Sequence, residues 1–190
     1  MRLIGISGTN GAGKDTLAHW LQDNQGWQFV SVSDILRAEL GRRNLPIERK
    51  YLRSLSTELR KEKGLGVLVD LSVRQWDNQF SGLIISSIRN PGEADRIHEL
   101  GGKVVWVDAD PKIRYERIMG RRRGTEDTKT FEQFMAEEQA EMEGTGDPAS
   151  LDMLAVKQKA DIFIQNDTET TEQFIKLASS ALKELMTASK

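Results

Sequence analysis

The chain has 190 residues, 27 basic and 29 acidic groups, a net charge near −2 and no cysteine. That length suits one domain with room for a proper core, and the charge balance excludes a general attraction to nucleic acid or to an anionic membrane surface. Without cysteine there are no disulfides, zinc–thiolate sites or thiol nucleophiles, and no apolar run approaches the roughly 18 residues that a membrane span needs. Since the first strand is preceded by no signal-peptide pattern, the expectation is a soluble cytoplasmic protein with neither membrane nor nucleic-acid partners.

In chain order, an apolar strand over 2–7 runs into Gly8-Thr9-Asn10-Gly11-Ala12-Gly13-Lys14-Asp15-Thr16, and a helix over 14–22 follows. This is the G-x-x-x-x-G-K phosphate-binding loop in its strand–loop–helix context. Gly8, Gly11 and Gly13 let the backbone curl around an anion, so that the amides of Asn10, Ala12 and their neighbours and the helix N-terminus face phosphate oxygens. Lys14 adds a mobile cation for the β- and γ-phosphates. Asp15 stands where many nucleotide triphosphatases place the Ser or Thr that ligates Mg²⁺, and Thr16 comes one place later. Asp15 reads either as a holder of hydrated Mg²⁺ or as an acidic first-turn residue favoured by the helix dipole.

Further strands are predicted at 27–32, 82–86, 103–108 and 161–165, with helices at 34–43, 48–62, 67–76, 93–100, 111–119, 130–142 and 171–185. Alternating strands and helices argue for βαβ units and a parallel sheet covered on both faces, a single α/β domain over 1–190. Ser33 and Asp34 look like the N-cap of the second helix. In the third, Leu52, Leu55 and Leu59 form one apolar face, with charges on the others. Trp106 within a run of valines reads as core. Phe131, Phe134 and Met135 are spaced to pack one helix back on the body, the acidic stretch 137–143 and Asp127 are expected to be solvated, and Asp147-Pro148 is expected to open a further helix.

Four segments resemble the adenylate-kinase-like nucleoside monophosphate kinases and dephospho-CoA kinase. Gly13-Lys14-Asp15-Thr16 is similar to the Gly-Lys-Gly-Thr loop of adenylate kinases and to the Gly-Lys-Asp-Thr of small deoxynucleotide kinases. Ser31-Val32-Ser33-Asp34-Ile35-Leu36-Arg37-Ala38 resembles Ser-Thr-Gly-Asp-Met-Leu-Arg-Ala, whose arginine grips the acceptor phosphate. Ile88-Arg89-Asn90-Pro91 resembles the Arg-x-Pro strand exit of an archaeal family of uncharacterised proteins related to dephospho-CoA kinase. Glu116-Arg117-Ile118-Met119-Gly120-Arg121-Arg122 is similar to the lid entrance of adenylate kinases.

The resemblance implies a three-layer α/β/α sandwich around a five-stranded parallel sheet, of the P-loop nucleotide-kinase type. It further implies transfer of the ATP γ-phosphoryl, with Mg²⁺, to a nucleoside monophosphate or another small nucleotide-like acceptor. Lys14, Arg89, Arg117 and Arg121 would be catalytic, with Arg122 and Arg123 as weaker matches. Gly8–Thr16, Arg117 and Asn166 would hold the donor, Asn166 beside its base, and Asp15 and Thr16 the metal, directly or through water. Ser33, Asp34, Arg37, Arg53, Arg60 and Arg89 would hold the acceptor, with Asp34 the only well-placed base for a hydroxyl acceptor. The acceptor-binding insert would span about 34–80 and a short lid about 117–130. One departure stands out: the carboxylate expected at the end of the third strand is Ser86.

Overall fold

The computed structural model describes residues 2–121 and 129–187, with the side chains of 121 and 187 left aside. Five strands form one parallel sheet: β1 (Arg2–Gly8), β2 (Gln28–Ser31), β3 (Gly82–Ser86), β4 (Lys103–Asp108) and β5 (Ile162–Gln165). Their spatial order is β2-β3-β1-β4-β5, with Ile4 opposite Ile84 on one side of the central strand and Lys103 on the other.

The helices are α1 (Lys14–Gln25), α2 (Val32–Arg42), α3 (Arg49–Lys63), α4 (Val67–Val73), α5 (Pro91–Glu99), α6 (Pro111–Arg121), α7 (Phe131–Met142), α8 (Met153–Gln158), α9 (Thr171–Ala181) and α10 (Lys183–Thr187). Because strand side chains alternate, each strand feeds two cores. Leu3, Val30, Leu83, Ile85, Val104 and Trp106 pack with residues of α2, α3, α4, α5 and α8. Ile4, Ile6, Ile84, Val105, Val107 and Ile164 pack with α1 and α9 on the other face. The architecture is therefore the expected α/β/α sandwich. A parallel sheet covered on both sides explains why its strands read as continuous apolar runs.

Three local readings of the sequence are corrected. Val32 opens α2 rather than ending β2, so Ser31 takes the N-cap position, without a side-chain cap bond. Asp147-Pro148 form a turn in which Asp147 accepts from the Ala149 amide, and the helix begins at Met153, capped by Asp152. The expected single helix over 171–185 is broken at Leu182, which is buried against the α1 core.

In a sheet of this order, the exits of the central strands lie together at the carboxyl edge, at the topological switch point where such folds bind ligands. The loop after β1, the β3–α5 loop with Arg89, and the end of β4 with Asp108 all meet there: Thr9 Oγ1 donates to Asp108 at 2.7 Å and Arg89 Nη2 to Asn10 Oδ1 at 3.2 Å.

Candidate active site

The loop Gly8–Thr16 is shaped by glycines that cannot be replaced without collision. Gly8 has φ 132°, and a Cβ there would lie 1.9 Å from the Val107 carbonyl oxygen. Gly11 (φ 81°) would place its Cβ 2.7 Å from the Arg114 carbonyl oxygen. Gly13 is left-handed at φ 104° and forms the N-cap of α1. These are positive-φ backbones that only glycine adopts cheaply, Gly8 and Gly11 against neighbouring main chain and Gly13 against the side chains of Asn166 and Phe174.

Three groups outside the loop hold it. Asn166, buried after β5, donates from Nδ2 to the Ala12 carbonyl at 2.7 Å. Thr9 ties the loop to Asp108. Arg114, buried on α6, donates from Nε to the carbonyl of Ala109 at 2.7 Å and from Nη1 to that of Asn10 at 3.5 Å, and Nη1 and Nη2 both bond Glu138 of α7. Burial would raise the Asp108 carboxyl, but hydrogen bonds from Thr9, Trp106 and the Ala109 amide, with Arg114 nearby, hold it below the usual carboxylate range.

Lys14 lies beneath this cradle, its Nζ donating to the Thr9 carbonyl at 2.5 Å. Burial, reinforced by the Arg89 charge, pulls its pKa down from 10.5 to about 7, against the opposing pull of Asp15 and Glu141. An ammonium so poorly compensated is poised for a polyanion.

The loop separates two cavities, and Gly11 and Gly13 line both. The smaller, about 230 Å³, is bounded by Thr16, Arg117, Asn166, Thr168 and the start of α9 to Phe174. Arg117 is fixed there by bonds to the carbonyls of Asn166 at 3.0 Å and Thr168 at 2.9 Å. The larger, about 510 Å³, holds Asn10, Lys14, Asp15, Ser33, Arg37, Arg49, Arg53 and Arg89, with Leu36, Leu52, Ile47 and Leu151 as apolar patches. Among the described residues lining it there is no aromatic ring.

The structure thus gathers most of the sequence candidates around one loop, on two sides. Asp15 lines the larger cavity and Thr16 the smaller. Asp34 does not line the larger cavity; its side chain is 70% exposed and bonds Arg37 at 2.7 Å. Arg60 also lines the larger cavity, but it is 2% exposed and its donors go to Glu93, Ser56 Oγ and the Ala149 carbonyl. Asn166 braces the loop with its side chain, and its backbone carbonyl receives Arg117. Arg122, Arg123 and Asp127 lie outside the described residues, as does the side chain of Arg121 and with it most of the expected lid.

Sequence reasoning missed Arg49, Arg114 and Glu141. The acidic stretch is not simply solvated: Glu137 pairs with Lys129 at 2.7 Å, Glu138 with Arg114, and Glu141 with Arg53 at 2.5 Å and Arg89 at 2.8 Å. Its spacing of acidic residues at 137, 138 and 141 marks one helical face, and that was the available signal.

Ser86 is buried at the end of β3, and its hydroxyl has no hydrogen-bond partner. Among the described residues no cluster of three or more His, Asp or Glu side chains could hold a metal ion by itself. The cradle of glycines and Lys14 fits a nucleotide phosphate chain. A divalent ion would take its protein contact from Asp15 and the rest of its shell from phosphate and water.

The α/β/α sandwich with a glycine-cradled lysine at its carboxyl edge is a P-loop kinase-like fold. The family model for an AAA domain matches residues 4–143, and the chain belongs to that family. It is 29% identical over 191 residues to a UPF0200 protein of Pyrobaculum aerophilum, spanning 97% of this chain and 99% of the relative. It is also 29% identical over 188 residues to a UPF0200 protein of Sulfurisphaera tokodaii, 98% of each. Among solved structures, TT1252 from Thermus thermophilus superposes with a TM-score of 0.64 at 17% identity over 98% of each chain. Shikimate kinase from Bacteroides thetaiotaomicron gives 0.58 at 15%, over 95% of this chain and 98% of that one. Likenesses at these identities concern the fold. Among the described residues no helix is long and apolar enough to cross a membrane.

Proposed function

We propose that the protein is an ATP-dependent phosphotransferase that moves the γ-phosphoryl to an anionic small molecule, a nucleoside or deoxynucleoside monophosphate first among the candidates. The observation that carries this reading is the pair of cavities meeting at Gly11 and Gly13. A hydrolase needs one site on the loop; a transferase needs a second compartment opening on the same phosphates.

ATP with Mg²⁺ would supply the phosphoryl group and neutralise charge on the β- and γ-oxygens. The loop amides and Lys14 would bind those oxygens, with Asp15 the nearest carboxylate for the hydrated ion and Thr16 on the donor side. The base would sit by Arg117 and the 166–170 loop. Arg37, Arg53 and Arg89 would orient the acceptor, each able to offer two parallel N–H donors to a phosphate. Arg121 would join them over the transferred group. An ionised phosphate acceptor needs no base, which suits an arrangement in which Asp34, the base expected for a hydroxyl acceptor, is paired with Arg37 outside the cavity lining.

A second reading, a nucleotide-binding regulator or slow hydrolase, has one observation in its favour: Ser86 where a metal-orienting carboxylate is expected. ADP release measured across nucleoside monophosphates, deoxynucleoside monophosphates, dephospho-CoA and shikimate separates the two. One strong responder is expected, and uniformly flat rates across the panel would overturn the transferase.

A further inference from the structure

The cation-rich cavity already holds an anion. Glu141, in the last turn of α7, reaches into its wall with its side chain 9% exposed. Its Oε1 accepts from Arg53 Nη2 at 2.5 Å and lies 4.0 Å from Arg49 Nη1, while Oε2 accepts from Arg89 Nη1 at 2.8 Å. The three arginines come from α3 and from the β3–α5 loop, and they converge on one carboxylate from a third element. Burial would raise this carboxyl, yet Arg89 and Arg53 outweigh it and keep Glu141 charged.

We propose that Glu141 is a built-in occupant of the acceptor's anion subsite: Arg49, Arg53 and Arg89 form a subsite for a phosphate-type dianion, which binds by taking the place of the Glu141 carboxylate. The inference rests on the phosphotransferase reading for the word acceptor, but the subsite itself stands on the ion-pair geometry. Two features make the exchange physical. With Glu141 in place, a dianion among the same guanidiniums would face a like charge at close range in a poorly solvated wall, which disfavours joint occupancy. A phosphate offers more charge and more acceptor oxygens than one carboxylate, so it wins the same donors.

The helix can also release this residue without losing its seat. Its earlier turns are held independently, Phe134 by Tyr115 and the Arg114 guanidinium, and Glu138 by Arg114. Directly after α7 come Gly144 and Gly146, both at positive φ (66° and 81°), where the chain can turn cheaply. Because Arg53, Glu141 and Leu151 also bound the neighbouring cavity of about 730 Å³, moving Glu141 takes down a wall between the two spaces.

Calorimetric titration of the nucleotide-free protein with inorganic phosphate tests this without requiring turnover. Glu141→Gln, which keeps the shape and removes the charge, is expected to bind phosphate about tenfold tighter than wild type. The double variant Arg53→Ala/Glu141→Gln is expected to lose that gain, which separates the subsite from phosphate bound at the P-loop. In the wild-type protein, amides of 137–142 should exchange with deuterium faster once phosphate is saturating. Unchanged or weaker phosphate binding by Glu141→Gln, or wild-type exchange that slows or stays the same, would overturn the proposal and make Glu141 a positioning residue for the arginines. Should Glu141→Gln not fold, the wild-type exchange result decides alone. If phosphate binding tightens while the whole acceptor panel stays inactive, the transferase reading fails and the subsite survives.

Discussion

Asn166 donates its side-chain amide to the carbonyl of Ala12 at 2.7 Å, bridging 154 residues of sequence between the β5–α9 loop and the phosphate loop. The same residue accepts Arg117 on its own carbonyl, so donor-side arginine and phosphate cradle are aligned through one buried amide. Asn166→Ala should destabilise the protein by about 1–3 kcal/mol, the cost of leaving the Ala12 carbonyl unpaired. It should also weaken ATP binding. Urea denaturation and nucleotide titration measure the two; full-strength nucleotide binding by the variant would deny the bridge a role in shaping the loop.

Lys14 makes nucleotide binding pH-dependent. Its folded pKa of about 7 lies below the 10.5 of a free lysine, so between those values the unfolded chain binds more protons. Stability of the nucleotide-free protein should therefore rise as pH increases from about 7 toward 10.5. A bound phosphate chain favours the charged amine, so ATP binding at pH 8 should take up about one proton, read from calorimetry in buffers of different ionisation enthalpy. Lys14→Met should abolish both the uptake and the nucleotide affinity while raising Tm at pH 7. Equal heats in all buffers at pH 8 would argue that the amine is already charged.

Gly11 sits against main chain, not against a movable side chain. The 2.7 Å approach of a Cβ to the Arg114 carbonyl oxygen, at φ 81°, leaves nothing nearby that can give way. Gly11→Ala should strain the backbone by about 1–3 kcal/mol and displace the loop from Arg114, with nucleotide affinity falling at least tenfold. A fluorescent ATP analogue reports the loss directly.

Arg89 should act chiefly on the acceptor, although it also touches the phosphate loop through Asn10 Oδ1 and lowers the Lys14 pKa. Its guanidinium faces the larger cavity from the β3–α5 loop, away from Arg117 and Thr16. Arg89→Ala is expected to lower kcat/KM for the responding acceptor about 100-fold, roughly 2.7 kcal/mol of transition-state binding, with Kd for ATP changed far less. Acceptor kinetics indistinguishable from wild type would remove Arg89 from the site.

How far the sequence could be read depended on how local each feature is. The phosphate loop is contiguous, and its glycines, lysine and flanking strand carry their own signature. The strands were legible because both faces are buried, which produces apolar runs such as those around Ile84 and Val105. Arg37 and Arg89 were visible only through family resemblance. Glu141 carried only the signal of an acidic helical face, since its meaning comes from Arg53 lying 88 residues away. Arg60 was only half legible for the same reason: on a helical wheel it is one more charge, and only Glu93, 33 residues on, ties it into buried structure. Val32 was misread because a strand running directly into a helix leaves no linker to mark the boundary.

The Arg60–Glu93 pair, with side chains 1% and 0% exposed, has a mechanical meaning. Glu93 also accepts the amides of Arg89 and Asn90, so α3 and the Arg89 loop are pinned by a single carboxylate. Arg60→Met should cost about 3–5 kcal/mol, because that carboxylate would be left buried without its cation, and thermal denaturation measures it. With the pin intact, the carboxyl-terminal half of α3 and the Arg89 loop move as one block. Any closure on this side should then pivot near Arg60 and carry Arg49 and Arg53, at the other end of the same helix, further than Arg89.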